Sequence, residues 1–424
     1  MPEADVATIE ELVRQLTLDE KCAMVHGADA WFIQGCERLG IPGWRVSDGP
    51  VGVRGRGMGS GLVLPGPSAM AASWDVGLVA ELGTALGEES IDRDVDVLLA
   101  PTVNLHRSPR GGRHFEAFSE DPELTARMAV AYITGVQSTG TAACVKHLVA
   151  NDQEHQRFTI DAHVDERTLR EVYLRPFEAA VLDADVRTVM AAYNFVNGRH
   201  ACAHPDVLLG VLKGEWGFDG VVISDWNAMK DTVGPAVNGL DVEMPGPGVH
   251  WGDGQLRAAV ARGEVSERDV DEKVRRILRL LVWRDRLPGE TTTGDERAVD
   301  RPEHRKLARR AAAEGMVLVK NEGLLPLLPG RSVALIGPAA ASTAILGGGS
   351  ALLEAHPHTS VLDAFRGRWT GEVSHVPALD LRRSAETLPP DWIGDDGIEV
   401  EQFDGRSLTG EPFASQRKKR PYNV

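Results

Sequence analysis

From Trp44 to Gly246 the chain alternates short apolar runs with amphipathic stretches, and this alternation limits the fold more than any single motif. The apolar runs are WRVSDG (44–49), VDVLLAPTVN (95–104), AACVKH (142–147), VRTVMAAYN (186–194), GVVISDW (220–226) and GLDVEMPG (239–246). Between them, LVAELGTALGEES (78–90), PELTARMAVAYITGVQ (122–137), ERTLREVYLRPFEAAVLDA (166–184) and DVLLGVLKGEWG (206–217) carry helical spacing. Near-continuous apolar strands need cover on both faces, which helices wrapped around a parallel sheet supply. Over roughly 250 residues the expected closure is an α/β fold of the (β/α)8 TIM-barrel type. Six strands are legible rather than eight, so the order of elements, not a full strand count, carries the expectation.

Helix starts support this frame. Thr17 to Glu20 has the capping-box pattern, and Ser266 to Asp269 is a looser case opening a helix with Val270, Val274, Ile277, Leu278 and Leu281 on one stripe. A barrel over 1–287 is followed by the turn-rich LPGETTTGDERAVDRP, read as a linker over 288–303. A second α/β pattern starts at His304: a helical opening in HRKLARRAAAEGMVLVKN (304–321), a buried-strand pattern in SVALIGP (332–338) and a helix in TSVLDAFRGRW (359–369). The basic run Arg417 to Arg420 reads as a solvated tail.

Composition excludes several function classes. The formal net charge of −16 repels phosphate backbones and anionic bilayers, so no nucleic-acid or membrane partner is expected. The four cysteines, Cys22, Cys36, Cys144 and Cys202, show no CxxC spacing and read as buried or free thiols. MPEADVATIEELVRQLTLDEK lacks the apolar core of a signal peptide, and no apolar run reaches the ~20 residues of a membrane helix. A cytoplasmic protein is expected, and self-association is compatible with these features.

Each predicted strand ends on a polar side chain: Asp48, Asn104, Lys146–His147, Tyr193–Asn194, Asp225 and Glu243. In a barrel of this class the C-terminal strand ends form the active site. Polar groups gathered there are costly to bury unless they pair or meet a polar ligand. Carboxylates, cations and hydroxyls, with Trp31, Trp44 and Trp226 as flat apolar surfaces, match a sugar, which has hydroxyl edges and C–H faces. No Walker motif occurs, and GGGS (347–350) follows no clear strand. His147 and His155 lack the HExxH arrangement, so neither metal nor cofactor is expected. Glycoside cleavage uses two carboxyl groups. On spacing alone Asp225 fits a strand-end nucleophile and a helix N-cap equally well. A Schiff-base lyase or aldolase using Lys146 is a further class this rim allows.

Six segments, in order, resemble glycoside hydrolase family 3, and within it the β-glucosidase-type branch: SDGPVGVRG (47–55), GPSAMAASWD (66–75), APTVNLHRSPRGGRHFEAFSEDP (100–122), VKHLVANDQEHQR (145–157), VMAAYNFVNG (189–198) and GFDGVVISDW (217–226). The resemblance implies a retaining hydrolase that removes terminal β-D-glucosyl residues from a small-molecule β-glycoside, with Asp225 as the nucleophile. It implies sugar contacts from Asp48, Arg54, Arg113, Lys146, His147 and Arg157. Met190, Tyr193 and Trp226 would line the same pocket, and Ser350, in GGGSA (347–351), would reach it from the rim. Arg113 and Glu116 also fit an internal ion pair that fixes their loop. By the same resemblance, 304–383 is the first part of an α/β sandwich domain. Residues 384–424 are the start of a lectin-like insert and an unrelated tail. The family's acid/base glutamate would lie beyond that point, so the chain reads as C-terminally truncated. The competing reading is a sugar-binding protein with little hydrolytic activity.

Overall fold

The computed structural model describes residues 2–55, 59–287, 289, 296–377, 398–402 and 414–418. The chain divides into two compact units, 1–324 with 344–358, and 325–343 with 359–424. Among the described residues nine short strands belong to the first: β1 (Phe32–Ile33), β2 (Trp44–Asp48), β3 (Val97–Leu99), β4 (Ala142–Leu148), β5 (Asp161–Ala162), β6 (Thr188–Ala191), β7 (Phe195–Val196), β8 (Arg199–His200) and β9 (Val221–Ser224).

The main sheet runs β1-β2-β3-β4-β6-β9. From β2 onward all neighbours are parallel, with Val46 beside Val97, Val97 beside Ala142, Val145 beside Val189 and Val189 beside Val222. Single residue pairings carry the ring on: Ile223 with Val242, His26 with Glu243, and Gly27 with Ile33 of β1. The curled sheet thus returns on itself as a TIM-type barrel, leaving no long open edge. Two features differ from a regular eightfold ring. β1 is antiparallel to β2. The expected strand 239–246 contributes only the pairings at Val242 and Glu243. Pro245 and Pro247 follow directly, and proline supplies no N–H to extend a ladder.

The helices lie where spacing places them. Val76–Asp92 and Pro122–Ser138 pack against each other, and Glu267–Trp283 covers β9 and the N-terminal helix Glu3–Gln15. Both capping boxes form: Thr17 with Glu20, and Ser266 with Asp269. Val97, Leu98, Leu99, Val221, Val222 and Ile223 are fully buried, because helices outside and side chains inside the ring cover both faces. All four cysteines are buried and free. No described helix is long and apolar enough to cross a membrane.

The stretch after the barrel is held to it. Arg297 and Arg301 both pair with Asp92, Arg93 Nη1 meets Glu296 Oε1 at 2.6 Å, and His304 Nε2 lies 2.7 Å from Glu88 Oε2. Helix Pro302–Glu314 packs on Pro67–Ala72 and Val76–Asp92, so it belongs to the barrel unit. Residues 288 and 290–295 of the expected linker lie outside the described residues.

In the second unit β10 (Val333–Ile336) and β11 (Val373–Val376) form a parallel pair beside helix Val361–Arg368, which Ser360 caps. SVALIGP, expected as a buried strand, alternates half-buried and exposed residues, with Ile336 74% exposed. Among the described residues this strand has one neighbour, and its alternate residues stay in contact with water. Most of the segment expected to start a lectin-like insert lies outside the described residues. Its described parts form an antiparallel pair, β12 (Ile398–Gln402) and β13 (Ala414–Lys418), the latter holding the first half of the basic run.

Candidate active site

The C-terminal ends of the parallel strands open into a cleft of about 620 Å³. Asp48, Arg54, Arg113, Lys146, His147, Arg157, Tyr193, Asp225, Trp226 and Ser350 all line it. Met190 does not. It is 1% exposed within β6 and packs into the hydrophobic core. Asn104 lies behind the cleft against His147, and Glu243 has turned away from it. The Glu243 carboxylate accepts the backbone N–H groups of Val249, His250 and Trp251 at 2.7–2.9 Å and so organises a turn.

Asp225 follows the buried run Val221–Ser224. Ser224 Oγ accepts Met244 N–H at 2.9 Å, and Ala228 N–H returns to the Asp225 carbonyl at 3.0 Å, so a tight turn fixes the carboxylate. Asp225 caps no helix; the next one starts at Val233. Its two oxygens differ. Oδ1 accepts Tyr193 O–H at 2.7 Å and Trp226 N–H at 2.7 Å. Oδ2 is buried without a hydrogen-bonded partner and has His147 Nε2 at 3.4 Å. Burial raises the Asp225 pKa above the usual carboxylate range, against the pull of Arg113, Lys146, the Tyr193 hydroxyl and the Trp226 N–H.

Cations surround this carboxylate, each with its own carboxylate partner. Lys146 Nζ donates to Asp48 Oδ1 at 3.3 Å across β2 and β4. Burial raises the Asp48 pKa, while Lys146 opposes the rise. Arg113 forks onto Glu116 through Nε at 3.1 Å and Nη2 at 3.0 Å, the internal pair foreseen from the sequence, and still faces the cleft. Burial works against the Arg113 cation, but Glu116 outweighs it and the pKa is raised. Arg157 Nη1 donates to Glu154 Oε2 at 2.8 Å, and its guanidinium lies 4.4 Å from the Tyr193 ring centre. Burial first, then Arg113, Lys146 and Arg157, hold the His147 pKa well below its ordinary value, so this ring is neutral.

Aromatic groups form the opposite wall. Trp31 and Trp226 pack with ring centres 5.4 Å apart and planes tilted by 39°, and Arg54 lies over Trp31 at 5.3 Å. Residues 344–358 bring Gly347–Ser350 to the rim, held by the pairing of Gly61 with Ala355 and by Ser60 Oγ against His356 Nδ1 at 2.8 Å. Ser350 Oγ accepts from Arg113 Nη2, and its carbonyl accepts from Arg54 Nη1, both at 3.5 Å. Gly347 is required by close approach: a Cβ there would lie 2.4 Å from the Phe115 ring. Phe115 was missed in the sequence, although it sits two residues after Arg113 in the same loop and that loop's position was the available signal. Among the described residues no His/Cys/Asp/Glu cluster suits a metal ion.

The arrangement is a polar cleft at the strand ends of a barrel, with paired charges, an aromatic wall and one carboxylate oxygen without a hydrogen-bonded partner. Residues 28–280 match the model of the glycosyl hydrolase family 3 N-terminal domain. The chain belongs to this family. It is 44% identical over 414 residues to a beta-glucosidase of Rhizobium radiobacter, covering 95% of this chain and 49% of that protein. It is 40% identical over 431 residues to beta-glucosidase B of Emericella nidulans, covering 98% and 51%. The crystal structure of a beta-glucosidase from Kluyveromyces marxianus in complex with glucose superposes with a TM-score of 0.84 at 33% identity, covering 97% of this chain and 52% of that one. Beta-glucosidase 3B from Thermotoga neapolitana in complex with glucose gives 0.81 at 35%, covering 86% and 55%. The chain spans about half the length of the curated relatives it matches.

Proposed function

We propose that this chain cleaves terminal β-D-glucosyl residues from small β-glycosides by a retaining mechanism, with Asp225 forming the covalent glycosyl-enzyme. The observation that carries the reading is the asymmetry of Asp225. Two donors hold Oδ1 while Oδ2, buried at the base of a cleft lined by Arg113, Lys146 and Arg157, has no hydrogen-bonded partner. An oriented carboxylate with one free oxygen is what attack at an anomeric carbon needs. Asp48, Arg54, Arg113, Lys146, His147 and Arg157 supply polar contacts for sugar hydroxyls, Tyr193 positions Asp225, and Trp226 with Trp31 supplies an apolar surface. The names of the relatives support glucose as the sugar.

Retaining hydrolysis also needs an acid for the leaving oxygen. The other carboxylates lining the cleft, Asp48, Glu116 and Glu154, each pair with a cation at 2.8–3.3 Å. None of these is free to serve as that acid. The chain is therefore expected to release a 2,4-dinitrophenolate, which leaves without a proton, far faster than it cleaves cellobiose. Steady-state rates on the two substrates test this, with Asp225→Ala as the control. Equal rates would show that one of these groups acts as the acid. An unchanged rate in Asp225→Ala would remove the nucleophile assignment.

A further inference from the structure

Asn104 occupies a position that the reading of the cleft leaves unexplained. It is 7% exposed, in the segment that leaves β3 and runs beside β4 through the pairing of Thr102 with Lys146. Its Nδ2 donates to the His147 carbonyl at 3.0 Å, and its Oδ1 accepts the His147 backbone N–H at 2.9 Å. A backbone carbonyl cannot donate and a backbone N–H cannot accept, so the two ends of this amide are not interchangeable. The same Oδ1 lies 2.9 Å from His147 Nδ1. Oδ1 carries no hydrogen, so the shared hydrogen belongs to Nδ1.

A neutral imidazole holds one N–H and one bare nitrogen. With the hydrogen on Nδ1, Nε2 presents a lone pair, and it faces Asp225 Oδ2 at 3.4 Å. The geometry points to Asn104 as a positioning residue that holds His147 in its Nδ1–H form, so that no imidazole hydrogen reaches Asp225 Oδ2 and Nε2 stays open to accept a sugar hydroxyl. This inference rests on Asp225 being the nucleophile. The opposite tautomer, which free neutral histidine favours, would donate to Oδ2. Such a bond stabilises the charged form of the carboxylate, lowers its pKa and blunts its attack. The charged groups facing the ring are Arg113, Lys146, Arg157 and Asp225, and burial with the three cations keeps the ring neutral.

The test is an NMR measurement of imidazole nitrogens on the full chain with 15N-labelled histidine, His147 being assigned by the signals lost in His147→Gln. A protonated Nδ1 and a bare Nε2 near neutral pH are expected. An Nε2–H form, or an imidazolium at that pH, overturns the inference. Asn104→Ala should introduce the Nε2–H form, slow the labelling of Asp225 by an activated 2-deoxy-2-fluoro-β-glucoside at least tenfold, and move its acid limb to lower pH. Asn104→Asp keeps the acceptor but adds charge. It should raise the His147 pKa and restore labelling only above that pKa. Wild-type labelling rates in both variants overturn the inference, and if neither variant folds the wild-type tautomer decides it. Failure of the wild-type chain to label removes the proposed function, whereas labelling with an Nε2–H ring removes only the role of Asn104.

Discussion

Strands β9 and β10 begin from similar sequence, GVVIS and SVALI, and end in opposite environments. β9 has β6 on one side, the pairing to Val242 on the other and Glu267–Trp283 above it, and all four of its residues are buried. Among the described residues β10 has β11 alone, and it alternates half-buried with exposed residues. An apolar β-branched run thus specifies strand conformation in both places, while burial depends on what the rest of the chain packs against it. The chemistry follows the same division. Only the closed ring gives polar strand ends a rigid, partly dry setting in which charges hold one another in place.

The comparison is broken most directly by putting a charge into each strand. Val222→Asp in β9, fully buried, is expected to cost more than about 4 kcal/mol and to abolish cooperative folding of the barrel. Ile336→Asp in β10, 74% exposed, is expected to change stability by less than about 0.5 kcal/mol. Urea denaturation of the two variants checks this, and comparable losses would contradict the contrast.

A smaller effect comes from the cleft. Arg113→Ala leaves Glu116, which is 1% exposed, without its cation, at an expected cost of about 3–5 kcal/mol. Arg113→Ala should also raise the Asp225 pKa further, because Arg113 is the leading influence lowering it. The acid limb of aryl-glucoside cleavage then moves to higher pH. A limb that stays in place would show that Arg113 does not act on Asp225.

A further effect, one of pH, concerns Glu89, buried beside Arg93 and accepting Leu62 N–H. Burial raises its pKa from the ordinary 4.5 to about 7, so the folded chain holds this proton more tightly than the unfolded one. Its contribution is fully present below pH ~4.5 and is lost as pH rises through about 7, roughly 3 kcal/mol in all. Glu89→Gln should flatten that slope in melts taken between pH 5 and 8. An unchanged slope would assign it to another group.

Much of the barrel was legible because its strands are apolar on both faces and its helices carry 3.6-residue periodicity. The sixth segment misled because Pro245 and Pro247 follow Val242 and Glu243 and supply no N–H, and the ladder shrinks to single pairings. Glu243 ends its segment in a polar group like the others, yet backbone N–H groups of a later turn claim it. Nothing in local sequence reveals which partner a carboxylate will find. Asp48, Lys146, His147, Tyr193 and Asp225 could be read from strand ends alone. Arg54, Arg113 and Arg157 sit on loops without periodicity, and only the family motifs pointed to them. Met190 fell to the core because all four residues of β6 are buried within the ring. The tautomer of His147 depends on three contacts to one amide 43 residues away, a relation that exists only after folding.

The central claim is that Asp225 Oδ2 attacks the sugar. Incubation with 2,4-dinitrophenyl 2-deoxy-2-fluoro-β-D-glucoside, proteolysis and mass spectrometry measure it directly. A single fluoroglucosyl adduct on Asp225, absent in Asp225→Ala, is the predicted result. An adduct on any other residue, or none on a folded chain, would contradict it.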